Sequence, residues 1–187
     1  MAAKDMAPGR AVPPSPGARR PSVAGISGGV GTTTLAAAIS GVDRGVFVGR
    51  PVDVLVCRGT VESLQRAGRA AHLQSDASGH RPLLAVTAVE ASGLTRNVSA
   101  QLRLTSAFAS HVVTVPMVRR WQESTSYLQD ARSVLTGRAA ELPRPLRGYA
   151  RAARDIRQYL GSPPASDHAF WARGPWGAPA RAMERSR

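Results

Sequence analysis

The sequence predicts an α/β protein with three layers, in which helices cover both faces of a mostly parallel β-sheet. Short runs rich in Val, Leu and Ala alternate along the chain with stretches of helical spacing. Uninterrupted apolar runs are typical of strands that are buried on both faces. Their alternation with helices predicts right-handed crossovers between parallel strands. The chain has 187 residues, which is enough for one core of this kind.

The first predicted strand is followed by a glycine-rich turn. Residues 23–26 form the strand, Gly28-Gly29-Val30-Gly31 form the turn, and residues 32–40 form a helix that ends at Gly41. Unpaired N–H groups at a helix N-terminus bind phosphate, and glycines let the phosphate approach the backbone. The order of elements therefore predicts a phosphate loop. The alternative is a glycine turn in a fold that never meets phosphate.

The remaining elements follow from the same patterns. Val52 to Cys57 is a buried strand, and Thr60 is a plausible N-cap for the helix that follows it. The other predicted strands are 83–89, 112–115 and a short remnant at 45–49. The predicted helices are 60–73, 94–108, 124–135 and 146–160. Ser124 or Thr125 caps the third of these helices and Gly137 ends it, and the last helix follows the chain breaks made by Pro143 and Pro145.

The glycine loop resembles the deviant Walker A motif of the ParA/MinD branch of P-loop NTPases, which belong to the SIMIBI class. That motif is Lys-Gly-Gly-x-Gly-Lys-Thr-Thr, and residues 27–34 match it except at the two lysines, where Ser27 and Thr32 stand. Three later segments resemble parts of the family in the family's order: 51–64, 81–88 and 111–118. The resemblance implies a P-loop NTPase-like fold that is truncated relative to the family.

The resemblance also implies a set of ligand-binding residues. The phosphates of ATP or GTP would lie on Ser27, Gly28, Gly29, Val30, Gly31, Thr32, Thr33 and Thr34, with Mg²⁺ on the Thr33 hydroxyl. Pro116 and Met117 would flank the base, and Thr87 stands near the position that reads it. Arg58, Arg119 or Arg120 would lie near strand ends and supply positive charge. The alternative is that the protein holds no cofactor.

Departures from the family pattern fall on catalytic positions. Both motif lysines are absent, and the chain's only lysine is Lys4. No apolar run ends in the Walker B aspartate, because Asp53 lies at the start of its strand instead of following it and Asp43 falls in a predicted loop. We therefore assign no catalytic residue, and the resemblance implies a trimmed relative with weakened or absent hydrolysis. Its function would be that of a weak nucleotide-binding switch or pseudo-NTPase, in plasmid maintenance, conjugation or placement of the division septum.

Two alternatives to this function stay open. One is a scaffold or adaptor that binds no nucleotide and uses its basic surface and its C-terminal tail. The other is a protein that binds DNA nonspecifically, since the net charge is +13. High-GC coding, which favours Arg over Lys, explains the same charge without an anionic partner. A protein partner and a homodimer are further expectations.

The two ends differ in composition from the centre. Residues 1–21 are rich in Pro and Arg and are predicted to be a disordered leader, residues 22–160 form the domain, and residues 161–187 form a disordered basic tail. The tail contains Phe170, Trp171 and Trp176, which predict a docking peptide or rings that fold back on the domain. Cys57 is the single cysteine and is predicted to be a small buried hydrophobe.

The last predicted helix, 146–160, is amphipathic and basic. Its apolar face either packs on the protein's own sheet or, as in MinD-like proteins, contacts a membrane peripherally. The sequence shows no apolar run long enough for a membrane span and no secretory segment, so the expected location is the cytoplasm.

Overall fold

The computed structural model describes residues 19–89, 94–136 and 141–161. Within these ranges the chain alternates strands and helices. The strands are β1 (Ser22–Gly25), β2 (Val42–Val46), β3 (Val54–Arg58), β4 (Leu83–Thr87) and β5 (His111–Val115). The helices are α1 (Thr32–Ala38), α2 (Val61–Ser78), α3 (Arg96–Ser106), α4 (Tyr127–Ser133) and α5 (Arg144–Gly161), with a short 3₁₀ helix at Arg119–Gln122.

The five strands form one parallel sheet in the order β2-β1-β3-β4-β5. The chain passes from β1 to β2 on one side of β1, and then adds β3, β4 and β5 in turn on the other side of β1. This reversal creates a topological switch point between β1 and β3, where doubly wound folds bind ligands at the carboxyl ends of their strands. The predicted fold class, a parallel sheet in a three-layer α/β domain, is confirmed.

Side chains from the central strands alternate between two apolar layers. Val54 and Val56 of β3 belong to the cluster that contains α1, α4 and α5, whereas Leu55 and Cys57 belong to the cluster that contains α2 and α3. Because both faces are covered, the strands have to be apolar throughout. Cys57 is fully buried, as predicted, and burial raises the pKa of its thiol to about 12.

Strand β3 begins two residues later than predicted because Val52 pairs with a side chain instead of a strand. The buried amide of Gln74 accepts a hydrogen bond from the Val52 N–H (3.0 Å) and donates one to the Val52 carbonyl (2.8 Å). Helix α2 runs past residue 73 to Ser78 and ends at Gly79, which adopts a left-handed conformation. Thr60 caps it as predicted, accepting a hydrogen bond from the Ser63 N–H.

Asp53 has a structural role at the amino end of β3. Its carboxylate accepts hydrogen bonds from the backbone N–H and the hydroxyl of Ser22, both at 2.7 Å, and pairs with Arg19 at 2.6 Å. Burial alone would raise the pKa of this carboxyl, but the bonds from Ser22 and the nearby charges of Arg19 and His80 outweigh burial and lower it. This carboxylate lies at the amino ends of the strands, whereas the glycine loop lies at their carboxyl ends.

The predicted remnant strand is displaced toward the N-terminus. Strand β2 spans Val42–Val46 instead of 45–49, and its first residue donates an N–H to the Pro21 carbonyl. The prediction that Asp43 lies in a loop is therefore wrong, because Asp43 pairs with Val23 of β1 inside the sheet. Its strand lies at an edge of the sheet and is largely exposed, so the apolar pattern that identifies buried strands is weak there.

Two helix starts also differ from the prediction. Helix α4 is preceded by Ser126 and not by Ser124 or Thr125, because the Ser124 hydroxyl accepts the Ser126 N–H and holds these residues in a turn. Helix α5 begins at Arg144 and includes Pro145 in its first turn, where a proline needs no N–H partner.

The apolar face of α5 packs on the sheet, which was one of its two predicted roles. Leu146, Ala153 and Ile156 are buried in the cluster that contains β5, and Arg157 donates to the Ile39 carbonyl at the end of α1. Membrane contact through this face stays a prediction that would require these side chains to leave the core. In the described part of the chain, no helix combines the length and apolar character needed to cross a bilayer.

Most of the predicted leader and tail lies outside the described residues. Of the leader, Arg19, Arg20 and Pro21 are described, and the Arg20 guanidinium donates to the carbonyls of Ser40 and Gly41. The aromatic residues of the tail, Phe170, Trp171 and Trp176, all lie outside the described ranges.

Candidate functional site

The candidate site lies at the carboxyl edge of the sheet. The segments that follow β1, β3, β4 and β5 meet there because all five strands are parallel. Two adjoining cavities lie at this edge and share three residues of the glycine loop, Gly29, Gly31 and Thr34. All ten predicted ligand-binding residues line one or both of these cavities.

The loop depends on two glycines in conformations that other residues rarely adopt. Gly29 has φ +70° and Gly31 has φ +91°, both in the left-handed region. Between them, the side chain of Val30 is buried in the core and attaches the loop to the domain. The Leu35 N–H reaches the Gly31 carbonyl at 2.9 Å, which starts helix α1 directly after the loop.

The N-terminus of α1 has no side-chain cap. Gly31 occupies the capping position, and within the described part of the chain no side-chain cap bonds to the first turn. The N–H groups of a first helical turn have no acceptor within their own helix. The three threonines of this turn differ in exposure: Thr33 is exposed, whereas Thr32 and Thr34 are partly buried. The Thr32 hydroxyl lies against Gly25, where any added Cβ would overlap it.

We call the first space the apolar cavity. It encloses about 390 Å³ between the loop and the segments after β3, β4 and β5. Its wall has one aromatic pair, in which the rings of Trp121 and Tyr149 meet edge to face at 4.7 Å. Trp121 also donates its indole N–H to Asp130 at 3.3 Å. The lining comprises Gly29, Val30, Gly31, Thr34, Arg58, Thr87, Ala88, Val89, Val115, Pro116, Met117, Val118, Trp121, Gln122 and Tyr149.

We call the second space the threonine cavity. It encloses about 380 Å³ between the loop, the first turn of α1 and the edge strand β2. Its lining is mainly polar and comprises Ser27, Gly28, Gly29, Gly31, Thr32, Thr33, Thr34, Asp43, Gly45, Val46 and Tyr127.

The two cavities carry opposite charges. Arg58 is the only charged side chain among the described residues that line the apolar cavity, and Asp43 is the only one that lines the threonine cavity. Arg58 follows directly on the buried part of β3, and its Nη2 donates to the Gly29 carbonyl at 3.0 Å. The carboxylate of Asp43 accepts the Gly45 N–H at 2.8 Å.

The structure distinguishes among the three arginines that the sequence singled out. Arg58 contacts the loop, whereas Arg120 pairs with Asp130 at 2.8 Å. Arg119 does not appear among the residues that line either cavity. A position near a strand end was therefore not sufficient, because Arg58 follows β3, which pairs with β1, whereas Arg119 and Arg120 follow β5 at the far side of the sheet.

Thr87 lies on the apolar cavity with its donor already in use. Its hydroxyl donates to the Cys57 carbonyl at 3.1 Å, which leaves only acceptor capacity for a ligand. Its methyl group lies 3.6 Å from the place that a side chain at Gly31 would occupy.

Sequence reasoning missed several residues of the site. Asp43 was placed in a loop, Tyr149 fell within the predicted amphipathic helix, and Trp121 and Tyr127 were not singled out; the Gln122 amide was missed as well. A large aromatic residue shortly after the strand that ends at Val115 was the available signal for Trp121. The position of Asp43 depends on pairing between β1 and β2, which the local sequence does not specify.

The residues present fit a nucleotide with Mg²⁺ in part. Gly28 has open space where a side chain would stand, so the backbone is accessible to a ligand. The Thr33 hydroxyl and the Asp43 carboxylate line the same cavity, and Mg²⁺ commonly takes one carboxylate together with phosphate and water oxygens. No group of three or more His, Cys, Asp or Glu side chains is positioned for a metal among the described residues.

Comparisons with known proteins add no relative. No protein-family model matches the chain, and neither a curated protein nor a solved structure matches it significantly. The resemblance to ParA/MinD proteins therefore depends on the quoted sequence motifs alone.

Proposed function

We propose that this chain is a phosphate-loop domain related to ParA/MinD proteins that binds a purine nucleotide weakly and acts as a switch through a protein partner. Its phosphate-binding groups are the backbone of Gly28 to Gly31 and the first turn of α1. Pro116 and Met117 flank the base, and the hydroxyl of Thr33 faces Mg²⁺. The proposed setting is the cytoplasm, in plasmid maintenance, conjugation or division-site placement.

One observation supports this proposal most directly. Gly29, Gly31 and Thr34 of the predicted phosphate site line one cavity with Pro116 and Met117 of the predicted base site, although more than 80 residues separate the two groups in sequence. The parallel sheet brings the turns after β1 and β5 to the same edge, and the left-handed Gly29 and Gly31 give the turn after β1 a backbone conformation that suits an anion-binding loop. The cavity lies at the switch point of the sheet, where α/β proteins commonly bind ligands.

Affinity is expected to be weak because the loop carries little positive charge. Neutral hydrogen bonds to phosphate are roughly half as strong as charge-assisted ones. The residues lining the two cavities include a single cation, Arg58. We assign no hydrolytic step to this site, since the sequence lacks both motif lysines and the Walker B pattern.

Calorimetric titration with ATP and with GTP, each with and without Mg²⁺, tests this proposal. The informative variant is Thr32→Lys, which adds a cation at the N-terminus of α1, and the matched control is Thr136→Lys at an exposed position after α4 that lines neither cavity. We expect weak binding by the wild type, about tenfold tighter binding by Thr32→Lys and no change in the control. Absence of binding by both the wild type and Thr32→Lys would contradict the proposal.

Mg²⁺ dependence tests the role of the threonine cavity separately. Asp43→Asn keeps the size of the side chain and removes its charge. If Asp43 and Thr33 share the metal, this variant loses the difference between titrations with and without Mg²⁺. Equal Mg²⁺ dependence in the variant and the wild type would exclude Asp43 from the metal site.

A second candidate function is an adaptor that binds no nucleotide, and exposed apolar side chains favour it. Leu73 and Leu104 on the α2/α3 face are 64% and 68% exposed, and Val48 after β2 is 77% exposed. Exposed apolar side chains of this size are typical of surfaces that bind other proteins when they form a patch. Sedimentation of the full chain distinguishes self-association, including a homodimer, from a monomer, for which the adaptor function requires a different protein as its partner.

Nonspecific DNA binding ranks third and depends on the net charge of +13. Such binding would weaken steeply as salt is raised, because it releases counterions from the phosphate backbone. Titration of a duplex of arbitrary sequence at two salt concentrations tests it.

A further inference from the structure

Arg58 is the one cationic group that faces the apolar cavity among its described lining residues, and it is held against the glycine loop. Its Nη2 donates to the Gly29 carbonyl at 3.0 Å and lies 3.1 Å from where a Cβ on Gly29 would stand. The side chain is exposed, and no carboxylate within the described ranges forms an ion pair with it. A guanidinium has five N–H donors, and the bond to Gly29 uses one of them.

The lining of this cavity favours an anion with an apolar body. Apart from Arg58, its polar groups are the hydroxyls of Thr34, Thr87 and Tyr149, the amide of Gln122 and the indole N–H of Trp121, which already donates to Asp130. Most of the remaining surface is made of Val, Pro and Met side chains and the aromatic rings of Trp121 and Tyr149. No carboxylate is among the described residues that line this cavity: that of Asp43 lines the other cavity, and that of Asp130 is paired with Arg120.

We propose that Arg58 is the anchoring residue for the pyrophosphate group of the ligand, and that it binds this group while its hydrogen bond to Gly29 holds the loop in place. This inference deepens the proposed function and depends on it for the identity of the ligand. Arg58 acts as a binding and positioning residue. Its contact with the loop carbonyl pre-orients the guanidinium, which reduces the ordering cost that a long side chain otherwise incurs on binding.

The inference separates Arg58 from the other arginines of the same surface. Arg120 already pairs with Asp130, and that carboxylate also accepts the Trp121 indole N–H. Moving Arg120 to a ligand would therefore break an existing ion pair. Arg58 can bind a phosphate oxygen with its remaining donors and keep its bond to Gly29.

Fluorescence of Trp121 supplies a direct measurement, because this indole lines the apolar cavity. The full chain with Trp171→Phe and Trp176→Phe keeps Trp121 as its only tryptophan. In this background, inorganic pyrophosphate or ADP is added to four proteins: the parent, Arg58→Gln, Arg58→Lys and Arg103→Gln. Arg103→Gln is the matched control, because it removes an exposed positive charge from α3 on the other face of the sheet.

We expect Arg58→Gln to weaken binding of both ligands about tenfold, which is the lower end for a charge-assisted hydrogen bond because this guanidinium is exposed. Arg58→Lys should recover part of the loss, and Arg103→Gln should match the parent. Added salt should weaken binding by the parent more than binding by Arg58→Gln.

The outcomes distinguish this inference from the proposed function. Pyrophosphate binding that depends on Arg58 without any binding of ADP, ATP or GTP would support the anchor and contradict the nucleotide switch. Nucleotide binding that is equal in the parent and Arg58→Gln would overturn the anchor alone. An equal loss in Arg58→Gln and Arg103→Gln would show a general effect of charge and would also overturn it, as would an absence of binding to every anion tested.

Discussion

Gly25 is the position where the structure makes its sharpest prediction about stability. It is the last residue of β1 and is buried under the glycine loop. A methyl group added there would overlap the Thr32 hydroxyl and would lie 2.7 Å from a methyl carbon of Val30 and 3.1 Å from the Ser27 carbonyl. We therefore expect Gly25→Ala to destabilise the fold by displacing the loop from the end of its strand.

The magnitude follows from the kind of neighbours involved. Overpacking a well-packed site costs about 1–3 kcal/mol, and the upper end applies because both Val30 and Thr32 are β-branched and short. A loss of about 3 kcal/mol is a large share of the stability of an ordinary domain. For a chain of this length it lowers the midpoint of thermal unfolding by about 6–12 °C.

Gly28→Ala is the matched control, because it makes the same chemical change in the same loop. A Cβ at Gly28 meets no atom within 4 Å, and its φ is outside the left-handed region. It should leave the free energy of unfolding unchanged or raise it by up to about 1 kcal/mol. Urea unfolding followed by circular dichroism measures both variants.

A double variant tests the proposed cause. Thr32→Ala removes the hydroxyl that overlaps the new methyl group, so Gly25→Ala/Thr32→Ala should be less destabilised than the sum of the two single changes, by about 1 kcal/mol. A Gly25→Ala protein as stable as Gly28→Ala would refute the reasoning. So would strict additivity in the double variant.

Three further predictions concern residues away from the loop. Asp53→Asn should cost about 2 kcal/mol at neutral pH by weakening the bonds from Ser22. Because the folded-state pKa of Asp53 is lowered, the difference from wild type should shrink once the pH falls below the unfolded value of about 4 and disappear as the pH passes the lower folded-state pKa, measured by urea unfolding across pH. Gln74→Leu should cost about 2–4 kcal/mol in the same assay at neutral pH, because it leaves the N–H and carbonyl of Val52 buried without a partner. Cys57 should resist a thiol reagent at pH 8 until urea is added, because burial raises its pKa to about 12.

Each of these has a clear contrary result. A penalty for Asp53→Asn that stays constant down to pH 2 would mean that the charge of the carboxylate does not contribute. A Gln74→Leu protein as stable as wild type would mean that water replaces the amide. Rapid modification of Cys57 in the folded protein would mean that β3 opens locally.

The local sequence predicted most elements because their signals are local. The glycine loop needs left-handed residues at positions 29 and 31, and only glycine adopts that conformation without strain. Thr60 caps α2 through an atom three residues away, so its role follows from the chain itself. The buried strands β3 and β4 were found because a strand covered on both faces must be apolar throughout.

Errors fell where a distant contact replaced the local pattern. The start of β3 moved because Val52 binds Gln74, which lies 22 residues away. Strand β2 was displaced because it lies at the exposed edge of the sheet, where selection for burial is absent and the alternation of side chains carries little signal. Because Asp43 lies in this strand, its position on the threonine cavity was not predicted either.

The sequence by itself determined the fold class, the glycine loop and the burial of Cys57, because periodicity and glycine placement act over a few residues. Only the tertiary structure decided which charges face the loop. Arg58, Arg119 and Arg120 are equivalent in sequence, but the strand order places the end of β3 beside β1, so Arg58 reaches Gly29 while Arg120 reaches Asp130. The two cavities and their opposite charges are products of strand order, which no local pattern encodes.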